Sequence, residues 1–141
     1  MRYFRRLWLL LCLTGCTFSS SKDYTCIAEG ICKSLCVELK KIESNEDFTK
    51  VSPKLEKYFN DLVGVMINLR EFQEKYPDEE AGYSTTEPWY SVEMQMELER
   101  IYSTIEGGRS LIEKTQKEAL LKLDAYEKNR KKQKNYLPRK G

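Results

Sequence analysis

No histidine occurs among the 141 residues. Its absence removes the commonest general base, the Ser-His and Cys-His nucleophile pairs and the usual zinc constellations. No glycine-rich phosphate loop follows a strand-like segment. Strict apolar–polar alternation over five or more residues is missing, so nothing argues for β structure. Cysteine stops at Cys36, and acidic residues stop at Glu127. What remains is a chain rich in charge and in helical periodicity, with an N-terminal cluster of thiols.

From Ile27 to Ile42 the apolar residues fall at Ile27, Ile31, Leu35, Leu39 and Ile42, in steps of four and three. That spacing marks one face of a helix. Gly30 costs about 1 kcal/mol relative to Ala inside a helix, which moves the expected start toward Gly30. The polar stretch 43–49 reads as a loop. Ser52-Pro53 then reads as a cap followed by a first-turn proline. A second helix follows with Leu55, Phe59, Leu62, Met66, Leu69 and Tyr76 as its stripe, and Pro77 stops it. Residues 77–87 form an acidic loop ending in hydroxyl residues, and Pro88 opens the third helical region. The third region runs to about Lys132, with Trp89, Val92, Met96, Leu98, Ile101, Ile105, Ile112, Ala119, Leu123 and Tyr126 on its inner face. Gly107-Gly108 either splits it or lets a neighbour come close. The expected fold is all-α: a small bundle of three antiparallel helices, the last the longest, or four if the glycines break the last.

The chain opens with Arg2, Arg5 and Arg6, an apolar run from Leu7 to Leu13, and Leu13-Thr14-Gly15-Cys16. A positive end, an apolar stretch and small residues at a cut form the layout of a secretory signal. Seven apolar residues are too few to span a bilayer, which takes about 20. The four residues ending in Cys16 resemble the lipobox of bacterial lipoproteins. The resemblance implies cleavage before Cys16, diacylglycerol on its thiol and acylation of the new amino terminus. Arg5-Arg6 is also similar to the pair of a twin-arginine signal. Phe4 stands where Ser or Thr precedes such a pair, so general secretion fits better. The resemblance covers about the first 20 residues. With the helical periodicity and the basic end, the expected organisation is a signal (1–15), a lipidated Cys and tether (16–25), a helical bundle (26–132) and a basic tail (133–141). Thr17, in place of an Asp, implies the periplasmic face of the outer membrane.

The formal charge of +2 hides an asymmetry. Residues 1–15 hold three arginines and no acid, which leaves 21 basic and 22 acidic residues in 16–141. Seven of those bases and no acid lie in 128–141, so 16–127 carries 14 bases against 22 acids, a net −8. An acidic body with a basic end is a statement about partners rather than fold. The basic end, Lys131 and Lys132 included, reads as a solvated helix end, as a contact for anionic headgroups or polysaccharide, or as a contact for an acidic partner. Trp89-Tyr90, beside the acidic loop, is the best candidate for an exposed contact.

Once Cys12 leaves with the signal and Cys16 is lipidated, Cys26, Cys32 and Cys36 remain. An oxidising periplasm permits a disulfide among them. A bridge within these eleven residues pinches only the first helix. An odd thiol left over permits a disulfide-linked dimer. Glu93 and Glu97 lie at helical spacing, but di-iron bundles add histidine to such pairs, so a solvated face is expected there. No catalytic residue, cofactor or metal is expected, and no nucleic-acid partner. The functional expectation is a lipid-anchored, non-catalytic interaction or structural module held at the membrane and working with an envelope protein partner. A pilotin-like assembly factor is the alternative, and a cell-wall enzyme or inhibitor comes last. Small helical lipoproteins that escort secretion-system rings are similar in size and class, without a shared residue motif.

Overall fold

The computed structural model describes residues 20–78 and 89–136. Residues 1–19, with the expected signal, Cys16, Thr17 and the first part of the tether, lie outside them, as do 79–88 and 137–141. Four helices make up the described chain: α1 (Ser21–Lys40), α2 (Asn45–Lys75), α3 (Trp89–Thr104) and α4 (Gly108–Tyr136). Helix α1 packs against α2 and α3, α2 packs also against α4, and α4 makes a smaller contact with α3. The result is a small helical bundle with no strand among the described residues.

Helix α1 begins at Ser21, inside the stretch expected as a tether and well before Gly30. The Ser20 N–H donates to the Asp23 carboxylate at 3.2 Å, which satisfies one of the donors a helix start leaves over. Apolar burial begins in the same turn at Tyr24, whose ring lies 5.5 Å from that of Phe72 on α2. Gly30 sits inside the helix with open space around it. Its conformational cost is met by the buried residues on both sides, Tyr24 before it and Cys32, Leu35, Cys36 and Leu39 after.

The largest departure from sequence expectation is the start of α2. It begins at Asn45, eight residues ahead of Pro53, and the loop to α1 shrinks to 41–44. Ser44 is the cap: its hydroxyl accepts from the Asp47 N–H at 3.2 Å and donates to the Asp47 carboxylate at 2.8 Å. Glu46 and Asp47 place negative charge at the positive end of the helix dipole. Phe48, Val51 and Leu55 are buried on either side of Pro53. A proline inside a helix costs about 3 kcal/mol through its missing N–H and its clash with the preceding turn. Three buried apolar side chains, at about 1.5–3 kcal/mol each, outweigh that cost.

One core runs through all four helices. It contains Leu35, Leu39 and Ile42, then Phe48, Val51, Leu55, Phe59 and Val63 from α2. Ile101 and Ile105 join it from α3 and its end, and Ile112 and Ala119 from α4. The buried stripe of α2 steps by four residues from Val51 to Val63, with partly buried Ile67 continuing it. Each step of four turns the stripe about 40° around a helix of 3.6 residues per turn. That rotation lets α2 serve α1 on one side and α4 on the other, and it leaves the expected inner residue Met66 exposed. On α3 the inner residues are Met94, Leu98, Ile101 and Tyr102. Val92 and Met96, expected inside, are 45% and 65% exposed. The reason is that Glu93 and Glu97 occupy the side of α3 turned to α1.

The third helical region is split. Ile105, Glu106 and Gly107 connect α3 to α4, and Gly107 adopts a left-handed φ of 69°. Gly108 then lies against the last turn of α3. A Cβ there would sit 2.5 Å from the Ile101 carbonyl oxygen. Of the two readings of this glycine pair, both hold: one breaks the helix and the other allows the close approach. Beyond it α4 continues to Tyr136, past the expected end at Lys132.

The glycines therefore separate by sign. Gly108→Ala is expected to lower stability by about 1–3 kcal/mol, because backbone rather than a flexible side chain blocks the new methyl. Gly30→Ala is expected to raise it by about 0.5–1 kcal/mol. Chemical denaturation of the two variants, compared by midpoint at constant slope, checks both.

Candidate functional site

The sequence candidates do not converge on one place. Trp89 and Tyr90 open α3, and their side chains lie outside the described residues. Lys131 and Lys132 are exposed on the last turns of α4. Cys26, Cys32 and Cys36 all lie on α1, with no disulfide joining them. Cys26 is exposed while Cys32 and Cys36 are buried. Burial pushes the Cys32 thiol above its ordinary value, with Cys36 and Glu29 adding to the shift. Burial also raises Cys36, helped by Glu93, while Lys40 opposes it. A raised pKa keeps both as thiols, which are poor nucleophiles and poor metal ligands. Among the described residues no cluster of three or more His, Cys, Asp or Glu side chains forms a metal site.

The polar groups that do converge serve the fold. Glu93 and Glu97, expected on a solvated face, are half-buried. Glu93 pairs with Lys40 of α1, and Glu97 accepts from Arg100 Nε at 2.8 Å. Arg100 is the polar residue that sequence reading missed. Its Nη1 donates to the Ile42 carbonyl at 2.9 Å and its Nη2 to the Leu39 carbonyl at 3.0 Å. The Leu39 carbonyl also accepts from the Ile42 N–H at 3.1 Å, so the fork adds a second donor there and supplies one to the Ile42 carbonyl just past the helix. One guanidinium fork thus closes α1 from a helix about 60 residues later. Hydrogen bonds to a charged group contribute about 1.5–3 kcal/mol each, and the partial exposure of Arg100 puts these at the lower end.

A second polar group lies between α1 and α2. Glu38 is buried, and its Oε1 accepts from Lys41 at 2.7 Å and from Lys54 at 3.4 Å. The Lys41 bond, joined by Lys54 and opposed by burial, holds the carboxyl below the ordinary glutamate range. A third lies between α2 and α4, where Arg70 pairs with Glu127 and Glu74 with Arg130. The two pairs have opposite polarity, so the signs match in one register of α2 against α4.

Among the described residues the surface recesses are open. One follows a single face of α4, lined by Ser110, Glu113, Lys117, Leu120, Leu121 and Asp124. Another sits over the Arg70–Glu127 and Glu74–Arg130 pairs. No described helix is long and apolar enough to cross a membrane.

Two measurements check this arrangement. Alkylation of the folded protein, followed by peptide mass, is expected to modify Cys26 first and Cys32 roughly tenfold or more slowly. Equal rates would place Cys32 at the surface. Glu38 predicts a pH dependence. Its folded pKa lies below its unfolded one, so its contribution to stability is complete above the ordinary glutamate value and fades as pH falls through the folded one. The wild type is therefore expected to lose more stability than Glu38→Gln as pH is lowered through the carboxylate range. Parallel loss in both proteins would remove Glu38 as a cause.

Set against known proteins, the chain matches no family model, no curated protein and no solved structure.

Proposed function

We propose that the chain is a lipid-anchored protein of a bacterial envelope. Cys16 carries the lipid, and the helical body works as a non-catalytic interaction or structural module. The observation that carries this reading is Leu13-Thr14-Gly15-Cys16 behind a basic start and a seven-residue apolar run. The periplasmic face of the outer membrane is the proposed address, on the strength of Thr17. Acyl chains rather than a helix hold the protein there, since stable anchoring takes more than one chain.

The body is taken as an up-down-up-down bundle. Glu38 meets Lys54 while Tyr24 meets Phe72, which supports opposite senses for α1 and α2. Arg70 meets Glu127 while Glu74 meets Arg130, which supports a shared sense for α2 and α4. The absence of histidine supports a non-catalytic role. An assembly factor of the pilotin kind requires an apolar groove between helices for a partner helix. The larger described recess instead follows one face of α4 and mixes charged with apolar residues. A contact made by surface side chains fits better, and the exposed pairs Val92 and Met96 on α3 and Leu120 and Leu121 on α4 are apolar elements available to it.

Intact mass and fractionation test the anchor. The native protein is expected to have the mass of residues 16–141 plus acyl chains and to sediment with membranes. Cys16→Ala is expected to move it to the soluble fraction. A variant that still floats with membranes, or a wild-type mass of the unmodified chain, would overturn the reading.

A further inference from the structure

Contacts along the bundle bring three chain ends together. Tyr24, in the first turns of α1, packs on Phe72 near the end of α2, and Phe72 packs on Tyr76 at 4.9 Å. Glu74, between them in sequence, pairs with Arg130 of α4. The start of α1 and the ends of α2 and α4 therefore share one end of the bundle. Cys16 lies four Cα steps before Ser20, a reach of at most about 14 Å. Whatever surface holds Cys16 faces that end.

The same end is basic. Lys128, Lys131, Lys132 and Lys134 of α4 are all exposed, and Lys22 and Lys75 add two more exposed ammonium groups. At 100° per residue, Lys128, Lys131 and Lys132 fall within one 100° stripe of α4. Arg130 points the other way, to Glu74. The nearby acids are mostly engaged: Glu74 and Glu127 in ion pairs, Asp23 with the Ser20 N–H. Among the described residues Glu71, Asp78 and, one turn before Lys128, Asp124 remain as exposed carboxylates. A basic last turn complements the helix dipole. That effect fades within one turn, whereas these lysines extend over two.

We propose that this basic end is the membrane-facing surface of the protein, and that the lysines of α4 contact anionic lipid headgroups of the bilayer that holds Cys16. The inference rests on the lipid anchor proposed above and adds the orientation of the body. With so short a reach, the anchor holds the ammonium groups within one or two Debye lengths of the headgroups, where screening is incomplete. Each lysine close to an anionic surface then favours contact by about fivefold. The acyl chains supply retention, and the lysines set the angle at which the bundle stands.

Native acylated protein, reconstituted in vesicles of phosphatidylcholine alone or with phosphatidylglycerol, tests this. Flotation reads the anchor. A water-soluble amine-acetylating reagent, followed by peptide mass, reads the orientation. Lys114 is the internal reference, 17 residues or about 25 Å up the same helix from Lys131. The expected result is flotation with both vesicles. Labelling of Lys131 and Lys132 relative to Lys114 is expected to slow about fivefold or more on anionic vesicles alone. Flotation with an unchanged labelling ratio would overturn the membrane-facing end and leave the anchor standing. Flotation with anionic vesicles alone would sink the anchor and support the lysine contact. Flotation with neither would overturn both.

Discussion

The end of α1 is the constraint on which the upper half of the bundle depends. Where α1 stops at Lys40 the turn to α2 has four residues. Within it the Lys41 N–H reaches the Glu38 carbonyl and the Ile42 N–H the Leu39 carbonyl, which leaves the Ile42 carbonyl and a second site on Leu39 to be filled from elsewhere. Arg100 answers from α3, bonding the Leu39 and Ile42 carbonyls with one planar fork. That bond fixes the height of α3 along α1. Lys40 with Glu93, one α3 turn and more earlier, fixes its rotation. Once α3 is set, Ile101 is fully buried in the core shared with Leu39, Ile42 and Leu55. The carbonyl of Ile101 also forms the surface on which Gly108 lands. A lysine at 100 would offer charge without the fork, so the geometry selects arginine.

The lower half is held differently. Past Val63 and Ala119 the contact of α2 with α4 turns from apolar to polar, while Tyr24 of α1 stays buried against Phe72. Two ion pairs of opposite polarity take over. Partly exposed pairs contribute less than about 1 kcal/mol each, so they fix register more than they add stability. The bundle is consequently apolar at the end where α3 meets α4 and electrostatic at the end where α1 begins. Local opening is expected first at the electrostatic end, where fewer apolar contacts oppose it.

Helix content was legible because periods of three and four survive in every segment. The inner residues Leu35, Leu39, Ile42, Leu55, Phe59, Ile101, Ile105, Ile112 and Ala119 are all read correctly from spacing and all buried. Boundaries were less legible. Ser52-Pro53 carries the standard start signal, yet Ser44 with Asp47 is the cap in use, because Phe48 and Val51 add burial that outweighs a proline in the helix. Val92 and Met96 are exposed for a reason internal to α3: at 100° per residue they lie about 180° and 140° from Ile101, on the side away from the core. Arg100 carried no signal at all. Its partners are backbone carbonyls, and no side-chain pattern announces a carbonyl.

The functional argument then turns on which groups the fold has left over. Glu38, Glu93, Glu97, Arg70, Arg100 and Arg130 are the charged groups that meet others inside or between helices, and each is matched by opposite charge or by backbone. Burial holds the Cys32 and Cys36 thiols in the protonated, unreactive form. Two atoms of those charged groups, Glu38 Oε2 and Arg130 Nε, are buried without a hydrogen-bond partner among the described residues. What stays available is surface: Val92 and Met96 on α3, Leu120 and Leu121 on α4, and the lysines past Glu127. If the anchor is at Cys16, the lysines lie toward the lipid, while the core contacts of α3 lie at the opposite end of α1.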